Sequence, residues 1–225
     1  MEEAHPATPP YLARDVRVNI SCYNSGKMTV IGITGNLGSG KSAVCRILAK
    51  LGAIIIDADK VAHDTYRPHS QTWQELITNF GKDIVKANEE IDRQKLGQIV
   101  FADPAALARL NKIVHPETYR MVKQKIDSYR RQGAKTIALE AALLIEAGWM
   151  NLMDELWLVI APEDVVIQRL TEHKGSDRAE ILARLKSQMP PEEKIKYTDE
   201  IIYNDSDLNQ LEARVTDLWH KLHTA

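Results

Sequence analysis

The hydrophobic positions of this 225-residue chain change their period several times, and the changes mark out its elements. Residues 28–34, MTVIGIT, form a short apolar run rich in β-branched side chains, and residues 52–57, GAIIID, form a second. Runs of this length without polar alternation are the mark of strands covered on both faces. Between them KSAVCRILAKL (41–51) spaces its apolar residues at helical intervals. KTIALE (135–140) and ELWLVIAP (155–162) repeat the strand pattern, each followed by polar helical stretches. Strands alternating with helices in this way predict an α/β fold, a parallel sheet with helices on both faces.

The middle of the chain has another texture. Between Asp59 and Gly133 the patterns are helical: SQTWQELITNF, DRQKLGQIVF, DPAALARLNKIV and PETYRMVKQKIDSYRRQ. Asp103 before Pro104 marks a helix start, since the carboxylate caps free N–H groups and proline suits the first turn. Proline also disfavours helix at the residue before it, so His115 ahead of Pro116 reads as a helix end. A run of helices between two strands of one sheet predicts an inserted unit, about 60–132, that builds a binding surface of its own. At the end of the chain Leu208, Leu211, Val215, Leu218 and Leu222 recur at steps of three and four, a helix face expected to pack back on the sheet. Residues 1–27 keep no period and contain HPATPP, which predicts a disordered leader.

Composition narrows the class. A formal charge of −2 supplies no basic field for nucleic acid, and no apolar run approaches the roughly 20 residues that span a bilayer. Charges and prolines break every apolar stretch of the leader, which argues against a secretory signal. Two cysteines, Cys22 and Cys45, are too few for a disulfide scaffold or a four-thiolate zinc site. These features predict a cytoplasmic protein without nucleic-acid or membrane partners, a monomer or weak homo-oligomer.

The chemistry is concentrated at a few places. Gly35, Gly40, Lys41 and Ser42 fit G-x-x-x-x-G-K-[ST], directly after a strand and before a helix. Glycines there let successive N–H groups turn inward, and the helix N-terminus adds partial positive charge. The loop Gly35, Asn36, Leu37, Gly38, Ser39, Gly40, with Lys41, Ser42 and Ala43, therefore reads as a triphosphate cradle, Lys41 reaching the β- and γ-phosphates and Ser42 a ligand for Mg²⁺. A signalling GTPase is disfavoured: no aspartate is followed by glycine three residues later, and NKIV (111–114) lacks the aspartate that reads guanine. Asp57 and Asp59, closing the second strand, fall at the carboxyl edge of the sheet where open α/β folds bind ligands. One carboxylate there suits the proton of an attacking hydroxyl, the other a metal-bound water. Asp57 is equally suited to capping the next helix.

With those blocks in view, the chain from Met28 to about Leu222 resembles the dephospho-coenzyme A kinase family. The resemblance rests on IGITGNLGSGKS, LGAIIIDADKVAH, IDRQKLGQIVFADPAALARLNKIVHP, LEAALLIEAGW, QMPPEEK and IIYND. It implies a three-layer P-loop kinase core (about 28–58, 134–162 and 199–225), the helical substrate-binding insertion and a lid over about 163–190. It further implies transfer of the γ-phosphate of ATP, with Mg²⁺, to the ribose 3′-hydroxyl of dephospho-CoA. On that resemblance Asp59 is the catalytic base beside Lys41, Asp57 a helper on the substrate side, and Arg93 and His115 substrate contacts next to Pro116. Asn204 falls in the loop that embraces adenine. Two departures stand out: Glu140 and Ala142 where the family usually carries aspartate and proline, and His173 with Lys174 where a lid arginine is common. Lys174, Arg169, Arg178 and Arg184 are the candidates to replace that arginine. The alternatives are a P-loop kinase of another hydroxyl substrate and a nucleotide-binding protein without catalysis.

Overall fold

The computed structural model describes residues 28–174 and 178–224; the leader expected over 1–27 lies outside them. Five parallel strands form one sheet in the order β2-β3-β1-β4-β5. They are β1 (Thr29–Thr34), β2 (Ile54–Asp57), β3 (Thr136–Glu140), β4 (Glu155–Ile160) and β5 (Glu200–Tyr203). Parallel pairing requires crossovers, and α1 (Lys41–Lys50) makes the first. Between β2 and β3 lie α2 (Ala58–Thr65), α3 (Gln71–Phe80), α4 (Arg93–Ala102) and α5 (Pro104–Arg131). Between β4 and β5 lie α6 (Glu163–Lys174), α7 (Arg178–Lys186) and the short α8 (Pro191–Lys194), and α9 (Leu208–Thr224) closes the chain.

Every residue of β1 is buried, because both faces of this central strand are covered. Val30 joins Ile137, Leu139 and Leu156 in a core completed by α2 and α5 (Val61, Val122, Ile126). Its neighbours Ile31 and Ile33 point the other way, to Trp157, α1 (Val44, Leu48) and α9 (Leu211, Val215, Leu222). Cys45 is buried in that second core, which pushes its thiol pKa up and leaves it a packing residue. Leu208, the first residue of the α9 periodicity, is 61% exposed and adds nothing to that face. Helices α3, α4 and the first half of α5 bury Leu76, Leu96, Val100, Ala106 and Val114 around a third core.

One strand went unpredicted, and one expectation needs correction. The segment IIYND carries a fifth strand, β5, whose four residues are too few to show a period. The helix expected to end at His115 runs on: α5 passes through Pro116 to Arg131, 28 residues in all, capped by Asp103 at Ala105 N–H. Proline removes one helical hydrogen bond, but Val114, Thr118, Val122 and Ile126 are buried along one face on both sides of it. Tertiary packing of that face carries the helix through. Thr118 adds a side-chain bond to Val114 O at 2.8 Å, two residues past the proline.

Candidate active site

The strand register brings the chemistry to one edge. Asp57 at the end of β2 pairs in register with Glu140 at the end of β3, and Glu140 with Ile33 of β1, just before the glycine loop. Gly40 begins α1 in a left-handed conformation (φ 102°), and no side chain caps the helix, so its first N–H groups face outward for an anion. A Cβ at Gly40 would run into the amide nitrogen of Asn204, and one at Gly35 (φ 146°) into the carbonyl of Val159. The loop is therefore pressed against the ends of β4 and β5, and only glycine fits at these two positions.

Lys41 curls back over the loop, its Nζ donating to Gly35 O (2.8 Å) and Asn36 O (3.1 Å). Burial pushes its pKa down, while Asp59 and Glu140 pull it up. Ser42 Oγ donates to Glu140 Oε1 at 2.6 Å. The extra methylene that glutamate has over aspartate spans to the hydroxyl, so the pair presents two hard oxygens at the start of α1. That oxygen set fits magnesium, and no cluster of three or more His, Cys, Asp or Glu side chains suited to a metal occurs among the described residues. The fit is to an ion that keeps its waters and phosphate oxygens rather than an all-protein cage.

Asp57 caps α2: Oδ1 accepts from Lys60 N at 3.0 Å, and Oδ2 pairs with Lys60 Nζ at 2.9 Å. Asp59, in the first turn of α2, has its carboxyl pKa raised, chiefly by desolvation among protein atoms. Asp57 and Glu140 add to the rise and Lys41 opposes it. More than a third of its surface still reaches solvent, so the desolvation is that of a crevice floor rather than an interior. One turn further on, His63 accepts from Arg93 Nη1 at 2.8 Å through Nδ1, and its ring meets Tyr66 edge-on. Burial and the Arg93 charge lower the His63 pKa. Arg93 itself is exposed at the start of α4. These side chains form one polar group along α2 and the start of α4, with Asp59 within electrostatic reach of Lys41.

Other predicted residues sit elsewhere. His115 lies half-buried against Trp149 with ring centroids 5.9 Å apart; burial lowers its pKa, and the Glu146 charge opposes this. Among the described residues no hydrogen bond joins it to Asp59 or Arg93. Asn204 is buried beneath the loop, its amide donating to Ser39 O (2.8 Å) and its backbone N–H to Ile160 O (2.7 Å). Its neighbours Tyr203 and Asp205 line a cavity of about 850 Å³ bounded also by Leu37, Ile160, Leu185 and Pro191. Arg184 of α7 lies over the Phe101 ring of α4 at 4.7 Å. Arg169 is half-buried on α6 and Arg178 exposed at the start of α7. Neither Arg169, Arg178 nor Arg184 hydrogen-bonds the glycine loop among the described residues, and the Lys174 side chain lies outside them.

Sequence reasoning passed over His63, Glu146, Gln188 and Lys194. His63 carried a signal, standing four residues after Asp59 on one helix face. Lys194 carried none: it is 0% exposed, its Nζ held by Ala142 O (2.8 Å) and Glu146 Oε1 (3.1 Å), with burial lowering its pKa against the pull of Glu146. Thr34 Oγ1 donates to the same Ala142 carbonyl at 3.2 Å. Position 142 thus acts through its backbone oxygen, which alanine supplies as proline does.

Known proteins resemble this chain in sequence and in fold. A family model described as dephospho-CoA kinase matches residues 29–210. The dephospho-CoA kinase of Carboxydothermus hydrogenoformans is 41% identical over 194 residues, 86% of this chain and 94% of that one. That of Dehalococcoides mccartyi is 39% identical over 189 residues, 84% of this chain and 94% of the relative. The solved dephospho-CoA kinase of Campylobacter jejuni superposes with a TM-score of 0.64 at 25% identity, covering 88% of this chain and 98% of that one.

Proposed function

The chain belongs to the dephospho-CoA kinase family, and from that premise we propose how its own residues divide the work of the reaction. The enzyme transfers a phosphoryl group from ATP to dephospho-CoA, the last step of coenzyme A biosynthesis. The observation that carries the assignment is the convergence of Lys41, Ser42 and Asp59 at one sheet edge, with Glu140 between them.

The uncapped N–H groups of α1 and the loop grip the β- and γ-phosphates, and Lys41 moves from the loop carbonyls to the phosphate oxygens. Ser42 and Glu140 would hold Mg²⁺, which when bound would neutralise charge on the transferring phosphoryl group. Asp59 accepts the proton of the acceptor's ribose 3′-hydroxyl and holds that oxygen in line. A carboxyl raised above the ordinary range is a better proton acceptor near neutral pH than an unperturbed one. Arg93, presented beside neutral His63, takes a phosphate of the acceptor's nucleotide, and the helices α2–α5 form the acceptor-binding unit. The cavity beside Tyr203 and Asp205 receives the base of ATP. Helices α6 and α7 act as a lid that excludes water during transfer.

Incubation with ATP, Mg²⁺ and dephospho-CoA, followed by mass detection of CoA, tests the scheme. Asp59→Asn is expected to lower turnover roughly a hundred- to ten-thousand-fold while leaving ATP binding intact. Near-normal turnover would remove Asp59 from its role.

A further inference from the structure

One residue of the glycine loop is gripped twice from the same direction. The Leu37 side chain packs with Val166 and Leu170 of α6 and Ile181 of α7. Its backbone N–H donates to Gln188 Oε1 at 2.9 Å, and Gln188 is the second residue past the end of α7. Beyond Gln188 the chain is pinned to the loop after β3. Met189 N–H donates to Glu146 Oε1 at 3.1 Å, and the same oxygen holds the buried Lys194 ammonium. The segment 188–194 is thus a strap, fixed at one end to the loop after β3 and at the other to the phosphate loop.

We propose that Gln188 is a positioning residue for the phosphate donor, acting through Leu37: its carboxamide fixes the curl of the loop and ties that curl to the α6–α7 pair. Leu37 stands third in the seven-residue run Gly35–Lys41. A loop free to turn Leu37 N–H elsewhere would lose the inward aim of the N–H groups that follow it. A triphosphate seated in the shaped loop then holds α6 and α7 through Leu37, so the site closes in response to the donor rather than the acceptor. The inference rests on the reading of this loop as the ATP phosphate site.

The test compares the full-length enzyme with Gln188→Ala and Gln188→Glu. In Gln188→Ala the Leu37 N–H loses its partner, and the KM for ATP is expected to rise about tenfold, the KM for dephospho-CoA changing less than twofold. Hydrolysis of ATP without acceptor, relative to transfer, rises as the lid uncouples. Hydrogen exchange at the Leu37 amide of the nucleotide-free protein accelerates about tenfold or more in Gln188→Ala. It stays near the wild-type rate in Gln188→Glu, which still offers an acceptor oxygen. An unchanged KM for ATP in Gln188→Ala, or an equal rise in both KM values, overturns the proposal; so does faster exchange in both variants. Wild-type enzyme that makes no CoA from ATP and dephospho-CoA would instead refute the reading of the loop, a result visible before either variant is measured.

Discussion

The two sides of the cleft are built differently. On the phosphate-loop side the groups that shape the loop are engaged by the fold: Asn204 under Ser39, Glu140 on Ser42, Gln188 on Leu37, Lys194 between Ala142 and Glu146, while the buried Asn36 Oδ1 and Ser39 Oγ have no partner among the described residues. On the α2 and α4 side, Asp59, His63 and Arg93 are exposed, and the Arg93 guanidinium has a histidine nitrogen where an acceptor phosphate oxygen would serve better. A triphosphate gripped by backbone N–H groups needs a loop that is already shaped, because those groups cannot be re-aimed at low cost. An acceptor gripped by long side chains can recruit them as it arrives. The first side is preorganised by the sheet, and the second is assembled on binding.

That contrast is broken most severely by attacking the scaffold of the first side. Lys194→Met leaves Glu146 without its cation in a largely enclosed place, and removing one partner of a buried pair costs about 3 kcal/mol. For a chain of this size the melting temperature should fall by about 6–12 °C, read by calorimetry. Pairing Lys194→Met with Glu146→Leu should recover part of the loss, since apolar replacement of both partners is far less costly than orphaning one. A melting temperature unmoved by Lys194→Met would mean that the strap is not part of the scaffold.

The second side should respond in kinetics and not in stability. Arg93 is exposed and among the described residues its hydrogen bond is to His63 alone, so Arg93→Ala should shift the melting temperature by about 1 °C or less. Loss of a charge-assisted bond to the acceptor is expected to raise the KM for dephospho-CoA about tenfold, with the KM for ATP unchanged. A rise in the KM for ATP instead would place Arg93 on the wrong side of the cleft.

The same contrast explains what could be read from the chain before its structure. The α/β class and the parallel sheet were legible because buried strands and amphipathic helices write their periods locally. The glycine loop was legible for the same reason, being a local backbone shape with a fixed spacing. Partners that come from far along the chain were not: Gln188 lies 151 residues from Leu37, and Lys194 lies 52 from Ala142. A lysine after two glutamates, in PPEEK, looks like a solvated charge, and only the loop after β3 makes it an interior one. Pro116 misled in the opposite sense, because a local breaker was overruled by a buried face running from Val114 to Ile126. Glu140 was visible as a departure from the family's aspartate, yet its bond to Ser42 depends on the register of β1 with β3.

The smallest expected effect bears on Asp59, the carboxylate of the α2 side within electrostatic reach of Lys41. Its folded pKa is raised above the value of an unfolded aspartate, so folding favours the neutral carboxyl. The stability this neutral form contributes is fully present below the ordinary carboxylate pKa and is lost as pH rises through the raised folded value. Asparagine keeps a neutral group at every pH. Asp59→Asn should therefore match the wild-type melting temperature near pH 3 and exceed it at pH 7, by only about 1–2 °C because solvent screens an exposed carboxylate. The variant that loses turnover would then be the more stable one at neutral pH, as expected where a site holds a charge that folding alone would not choose. Melting curves of both proteins across pH 3–7 decide it. A lower melting temperature for Asp59→Asn at pH 7 would show that Lys41 outweighs desolvation, and that Asp59 belongs with the engaged groups of the phosphate-loop side.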